Sequence, residues 1–147
     1  MIKLHIGCGD SLLDGYVNID KFEKEGVLFR DVLRGIPYSD DSVDEIRTEN
    51  FLEHVPQVDV IWLMNEMWRV LKVGGFAHHL IPEAGTVMFY QDPTHLSHWV
   101  PETFTYFMLN HRRNLYYRGA IKPWGVEHLR YTDPNKLIDV KMVKTEA

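Results

Sequence analysis

Short apolar stretches that stop at glycine or at polar clusters, and one long stripe with helical spacing, set the expected layout. Residues 2–6 are β-branched and apolar and end at Gly7, which predicts a strand. Residues 16–20, 27–29 and 43–48 read as three more, the last preceded by the turn cluster Ser39-Asp40-Asp41-Ser42. The clearest helix covers residues 56–72. Pro56 suits its first turn, and Gly74-Gly75 supplies the stop. Val60, Ile61, Met64, Met67, Trp68 and Leu71 recur at i, i+3, i+4 and i+7, one stripe expected to be buried. A strand at 76–81 follows, then a helix at 101–112 with Pro101 and Glu102 in its first turn. Ile138, Val140 and Met142 alternate with polar residues and predict a final strand. This order of elements fits an α/β sheet with helices against it.

Composition narrows the class. The chain has 147 residues, 45% of them apolar, with 16 basic and 21 acidic side chains and a net charge of −5. Such a chain can bury a core, which excludes a disordered, collagen-like or disulfide-stapled protein. The acidic balance argues against a partner that is nucleic acid. No run approaches the roughly 20 apolar residues of a membrane span. Cys8 is the one cysteine, and no signal-peptide pattern opens the chain, so a cytoplasmic protein is expected. Residues 89–131 hold 10 of the 18 aromatics. Residues 111–130 carry five basic side chains (Arg112, Arg113, Arg118, Lys122, Arg130) against Glu127 alone. That segment reads equally as a surface for an anionic acceptor or as a solvated face over core aromatics. One domain over residues 1–147 is expected, because the tail is too short to bury its own core.

Chemistry concentrates in five ordered motifs. Gly7-Cys8-Gly9 follows the first strand and lets the backbone turn sharply beside a ligand. Asp20 ends the second strand, where a carboxylate can accept both hydroxyls of a ribose or can cap the next turn. Then come Asp31-Val32-Leu33, Phe51-Leu52-Glu53-His54-Val55, and Arg69-Val70-Leu71-Lys72-Val73-Gly74-Gly75 leading to Ile81-Pro82-Glu83. Together they resemble the class I S-adenosylmethionine-dependent methyltransferases. The likeness is to the subgroup with Gly-Cys-Gly, Leu-Glu-His and Arg-Val-Leu-Lys-x-Gly-Gly signatures. It spans about residues 2–83.

The resemblance implies a Rossmann-like, mostly parallel sheet flanked by helices, with S-adenosylmethionine as cofactor. Residues 1–83 would form the cofactor-binding part and 84–147 the acceptor side. Gly7, Cys8 and Gly9 would lie against the methionine and sugar, Asp20 on the ribose, Asp31 and Val32 at the adenine, and Asn50 near the sulfonium. Glu53 and His54 read as a structural pair fixing a strand-to-helix turn. One departure stands out: only seven residues separate Gly9 from Val17. A crossover with its helix takes about 10–12. The first helix is therefore expected to be reduced or missing. One side of the cofactor would then be open, to be covered by a partner chain or a second copy.

Beyond residue 83, Asp92-Pro93-Thr94-His95-Leu96-Ser97-His98 places two histidines three apart in a proline-flanked loop. It resembles a loop that borders the acceptor pocket in the same subgroup. Near neutrality an imidazole can take a proton from an acceptor hydroxyl, so His95 and His98 are the candidate catalytic residues, at least one of them facing the cofactor. The same side chains could instead tie the loop to itself, or with Asp92 bind a metal. No four-ligand pattern is present, and no metal is assigned. His78-His79 falls in a strand, which sends the two rings to opposite faces, and reads as structural. The expected function is methyl transfer to an oxygen or nitrogen of a small, anionic or sugar-bearing acceptor. The rival is a non-catalytic module of the same fold that supports a partner protein.

Overall fold

The computed structural model describes residues 1–111, 119–132 and 137–146. Arg112, Arg113, Tyr116, Tyr117 and Arg118 of the aromatic-basic segment lie outside the described residues. The strands are β1 (Lys3–Ile6), β2 (Val17–Asp20), β3 (Leu28–Phe29), β4 (Val43–Glu49), β5 (Leu71–Pro82), β6 (Trp124–Thr132) and β7 (Leu137–Lys144). They join in one sheet ordered β3-β2-β1-β4-β5-β7-β6. Pairing is parallel from β3 through β5. It is antiparallel for β5 with β7 and for β7 with β6. The strand order therefore reverses at β1, with β2 on one side and β4 on the other.

Helices are few. α1 (Val60–Val70) is the long one; α2 (Val87–Tyr90) and α3 (Pro101–Thr105) are single turns. Residues 7–16 cross between strands with no helix, as the short spacing after Gly9 predicts, and residues 21–27 do the same. No helix among the described residues is long and apolar enough to cross a membrane.

Alternation along the strands gives the sheet two unlike faces. Leu4, Ile6, Ile46, Ala77, Ile81, Ile138, Val140 and Met142 join Leu63, Met64 and Met67 of α1 in the main apolar core. The opposite face is polar. Register places His5, Arg47, His78, Lys141 and His128 in one row across five strands. Beside the row, Lys3 pairs with Glu45 and Arg47 with Glu49. Tyr16, in the helix-free crossover, lies over the row's end and bonds Glu45. A helix that buries an apolar stripe has nothing to pack on here, which accounts physically for its replacement by a short loop.

Three expectations shift. The helix expected over residues 101–112 is the single turn α3, which stops at Thr105. The long helix α1 ends at Val70, and Gly74-Gly75 sit inside β5. Leu71 pairs with Val43 and Phe76 with Glu45, so residues 72–75 form a bulge. A Cβ on Gly75 would meet the carbonyl oxygens of Lys72 and Asp44 at 2.9 and 3.0 Å, so the glycine serves that bulge and not a helix stop. The buried stripe of α1 is also rotated. It runs through Val60, Leu63, Met64, Met67 and Val70, while Ile61 is 40% exposed and Trp68 only half-buried. Trp68 donates its indole N–H to the Pro123 carbonyl at 2.9 Å and carries Lys122 and Lys144 against its ring.

Candidate functional site

A cleft of about 590 Å³ opens at the carboxyl ends of β1, β2, β3 and β4, around the point where the strand order reverses. Open α/β sheets bind ligands at this position. Its walls are largely apolar: Ile6, Ile19, Phe22, Val32, Leu33, Phe51, Val55, Pro56 and Leu96. Asp20, Lys21, Arg30, Asp31, Asn50, His54 and Thr94 supply the polar groups. Of the residues expected at a cofactor, Gly7, Gly9, Asp20, Asp31, Val32 and Asn50 line the cleft. Cys8 does not: it is buried, and burial followed by the Asp20 charge raises its thiol above the ordinary value, so it stays protonated.

The loop after β1 is shaped by what its backbone must avoid. Gly7 has φ +68°, and a Cβ there would stand 2.1 Å from the Phe51 ring. Only glycine fits between the loop and that wall. Gly9 has φ +50° and nothing within 4 Å of where its Cβ would be, so its backbone is open to the cleft. Asp20 accepts from the Gly9 N–H at 2.8 Å with one oxygen and from the Phe22 N–H at 3.1 Å with the other. It ties both loops together, and each oxygen keeps a lone pair. Asp31 accepts from the Leu33 N–H at 3.0 Å and caps the turn Val32–Arg34. Asn50 is held at φ +49°, a conformation side chains rarely adopt, at the end of β4 beside the cleft.

On the other wall, the turn after β4 and the loop 92–98 are stitched together. The Glu53 carbonyl accepts from the Leu96 and Ser97 N–H groups at 2.7 and 3.1 Å. The buried Ser97 hydroxyl donates to the Leu52 carbonyl at 2.8 Å and accepts from the Trp99 indole at 2.9 Å. This brings His54 and His95 to a ring separation of 4.8 Å. His95 is nearly buried and stands behind His54, while His98 is exposed; neither His95 nor His98 lines the cleft. Glu53 is fully buried, and neither carboxylate oxygen has a hydrogen-bond partner. Burial first, and the nearby Asp92 charge, push its carboxyl up to about 7. Sequence reasoning placed Glu53 and His54 as structural and passed over Phe22, Arg30, Phe51, Thr94 and Leu96 at the cleft. Arg30 was findable, because it follows β3 at the same sheet edge; the others required the loop path.

No protein-family model and no curated protein matches the sequence. Solved structures match the whole fold. The complex of the Haloferax volcanii Trm112 methyltransferase activator with a methyltransferase contains a chain with TM-score 0.69 and 14% identity, over 99% of this chain and 83% of that one. A SAM-dependent methyltransferase from Archaeoglobus fulgidus gives 0.68 at 16% identity, over 97% and 85%. The cyclase SpnF gives 0.66 at 13% identity, over 99% and 74%. The protein thus has the fold of SAM-dependent methyltransferases, a fold that also carries an enzyme named for cyclisation, and the reaction must be argued from the site.

Proposed function

We propose that the cleft binds S-adenosylmethionine and that the protein transfers its methyl group to an oxygen or nitrogen of a small acceptor. The observation that carries this reading is the convergence of Gly7, Gly9, Asp20, Asp31 and Asn50 on one apolar cleft at the strand-order reversal. The residues suit the cofactor chemically. Asp20 has lone pairs for two ribose hydroxyls, Asp31 can accept from an adenine amine, and Val32 and Leu33 offer an apolar wall for a flat ring. Bound there, the cofactor supplies a methyl group on a positively charged sulfur. The chain's task is then to align the acceptor, exclude water and receive a proton. His95 and His98 are the proposed acceptor-side pair through the loop that carries them: neither lines the cleft, and His54 is the imidazole at its wall. His95 is the better held, with Nδ1 2.6 Å from the Phe89 carbonyl, so the proton sits on Nδ1 and Nε2 keeps its lone pair.

Calorimetry with S-adenosylmethionine and S-adenosylhomocysteine tests the reading. Asp20→Ala should weaken binding by roughly 1–3 kcal/mol, the scale for lost hydrogen bonds to a charged group. An unchanged dissociation constant removes Asp20 from the cofactor site. A second reading has its own observation. Leu12, Phe22, Leu28 and Phe29 are exposed around the helix-free crossovers and the short edge strand β3. A partner chain or second copy would cover them. Folded protein that binds neither compound would be a supporting module of such an assembly.

A further inference from the structure

We infer that Glu53, His54, Asp92 and His95 form a site for one divalent transition-metal ion at the acceptor end of the cleft. Hydrogen-bond accounting leads there. His54 Nδ1 lies 3.2 Å from the Thr94 carbonyl and 3.1 Å from the Thr94 hydroxyl. That hydroxyl gives its own proton to Asp92 at 2.6 Å, so both contacts require an N–H on His54 Nδ1. His95 Nδ1 likewise faces an acceptor, the Phe89 carbonyl at 2.6 Å. With Nδ1 carrying the hydrogen, each ring in its uncharged form presents an Nε2 lone pair. Near them is another acceptor: Asp92 Oδ2 stands 3.5 Å from His95 Nε2 and 4.0 Å from His54 Nε2. Thr94 donates to Asp92 Oδ1 from its N–H at 2.8 Å and its hydroxyl at 2.6 Å, which leaves Oδ2 turned to the two rings without a donor of its own. Glu53 adds a fully buried carboxylate with no partner on either oxygen.

Lone pairs gathered this closely, with Asp92 beside the two rings, repel unless a proton or a metal cation lies between them. Ligand atoms from Glu53, His54 and His95 fall within 4.8 Å of one another. Ligands about 2.0–2.2 Å from a common ion stand roughly 3–4 Å apart, so a contraction of about an ångström closes the set. A backbone carbonyl on the far nitrogen of each ring is the outer-shell contact that fixes the tautomer of metal-binding histidines. Two imidazoles with two carboxylates select zinc, iron(II) or manganese(II) over magnesium and calcium, which prefer oxygen alone. His54, Thr94 and Leu96 form the adjacent cleft wall. An ion with an open position there would hold an acceptor oxygen and favour its ionised form. That role rests on the methyl-transfer reading; ion binding does not.

The competing occupant is protons on the two rings and on Glu53. Metal-free full-length protein titrated with Zn²⁺ by calorimetry, and with Co²⁺ by visible absorption, separates the two. One ion per chain is expected, with d–d bands of Co²⁺ held by nitrogen and oxygen. His95→Gln and Glu53→Gln, each checked for folding by circular dichroism, should weaken it by more than the about 10–100-fold that loss of an outer-shell contact brings. His128→Gln, in the other histidine cluster, should leave it unchanged. Absence of Zn²⁺ and Co²⁺ binding in the wild type, or binding untouched by both site variants, overturns the site. S-adenosylhomocysteine binding without ion binding sinks this inference alone. Ion binding without cofactor binding keeps the site and sinks the methyl-transfer reading.

Discussion

Two clusters of histidine and carboxylate use their lone pairs in opposite ways. On the polar sheet face, Asp139 accepts from His78 Nε2 at 2.6 Å, His128 Nε2 at 2.8 Å and Arg130 Nε at 3.0 Å. Arg47 donates to His78 Nδ1 at 3.0 Å, which leaves the His78 proton on Nε2. Each of these four donors meets an acceptor, and a metal would have to displace both protons and face the Arg47 guanidinium. At the cleft wall, both Nδ1 atoms hold the protons, the Nε2 lone pairs converge with Asp92, and Glu53 is left without a partner. Residue type alone does not separate the clusters. The direction of each proton does: one is a finished structural knot, the other the ligand set we propose.

Asp139→Ala gives the largest expected effect. It leaves two half-buried imidazole N–H groups and the Arg130 guanidinium without their acceptor, at a cost of about 3 kcal/mol, read by urea denaturation. Burial alone would raise the Asp139 carboxyl, but the bonds from His128, His78 and Arg130 outweigh it and lower the group to about 2. An ordinary aspartate titrates near 3.8. The native state thus binds fewer protons between those values. This stability is present above about pH 4 and is lost as pH falls toward 2. The variant should lack that part of the acid limb. Equal stability of variant and wild type would dissolve the knot.

Glu53→Gln works in the reverse sense. The wild-type carboxyl titrates at about 7 in the fold against an ordinary 4.5, so the native state holds an extra proton between them. With a chelator present, wild-type stability should fall relative to the variant as pH rises from 5 to 8, by up to about 3 kcal/mol. Zinc should return that loss to the wild type and not to Glu53→Gln. A difference that does not change with pH would mean the carboxylate already has a counter-charge.

How far the sequence led differs between these regions. β1 and β2 were legible as short runs of apolar and β-branched residues that stop at a glycine or a polar turn, and β4 by the turn cluster Ser39–Ser42 before it. So was the loss of the first helix, a matter of counting seven residues. β6 was not foreseen: its polar positions, including His128 and Arg130, weaken the apolar signal of an edge strand. The glycine pair in β5 misled for a physical reason, since a bulge and a helix end ask the same freedom of the backbone. Cleft residues at strand ends could be placed from order alone. Glu53 and His54 joined Asp92 and His95 through Ser97, the backbone bonds to Glu53 and the His54–Thr94 contacts, links between segments about 40 residues apart that no local pattern records.

The smallest effect is the sharpest comparison. His128→Gln keeps an amide donor near Asp139, and His95→Gln keeps one near the Phe89 carbonyl, so each metal-free variant should lose no more than about 1 kcal/mol. Without an ion the two clusters then look alike. Excess zinc, at roughly 100 times the dissociation constant, adds about 2.7 kcal/mol to any chain that binds it only when folded. Thermal midpoints of wild type and His128→Gln should rise together, while His95→Gln stays where it was. If His128→Gln also loses the zinc response, the ion sits on the polar sheet face, and the reading of proton directions in both clusters fails. If all three rise equally, the ion is held elsewhere, and the His54 and His95 lone pairs are occupied by protons.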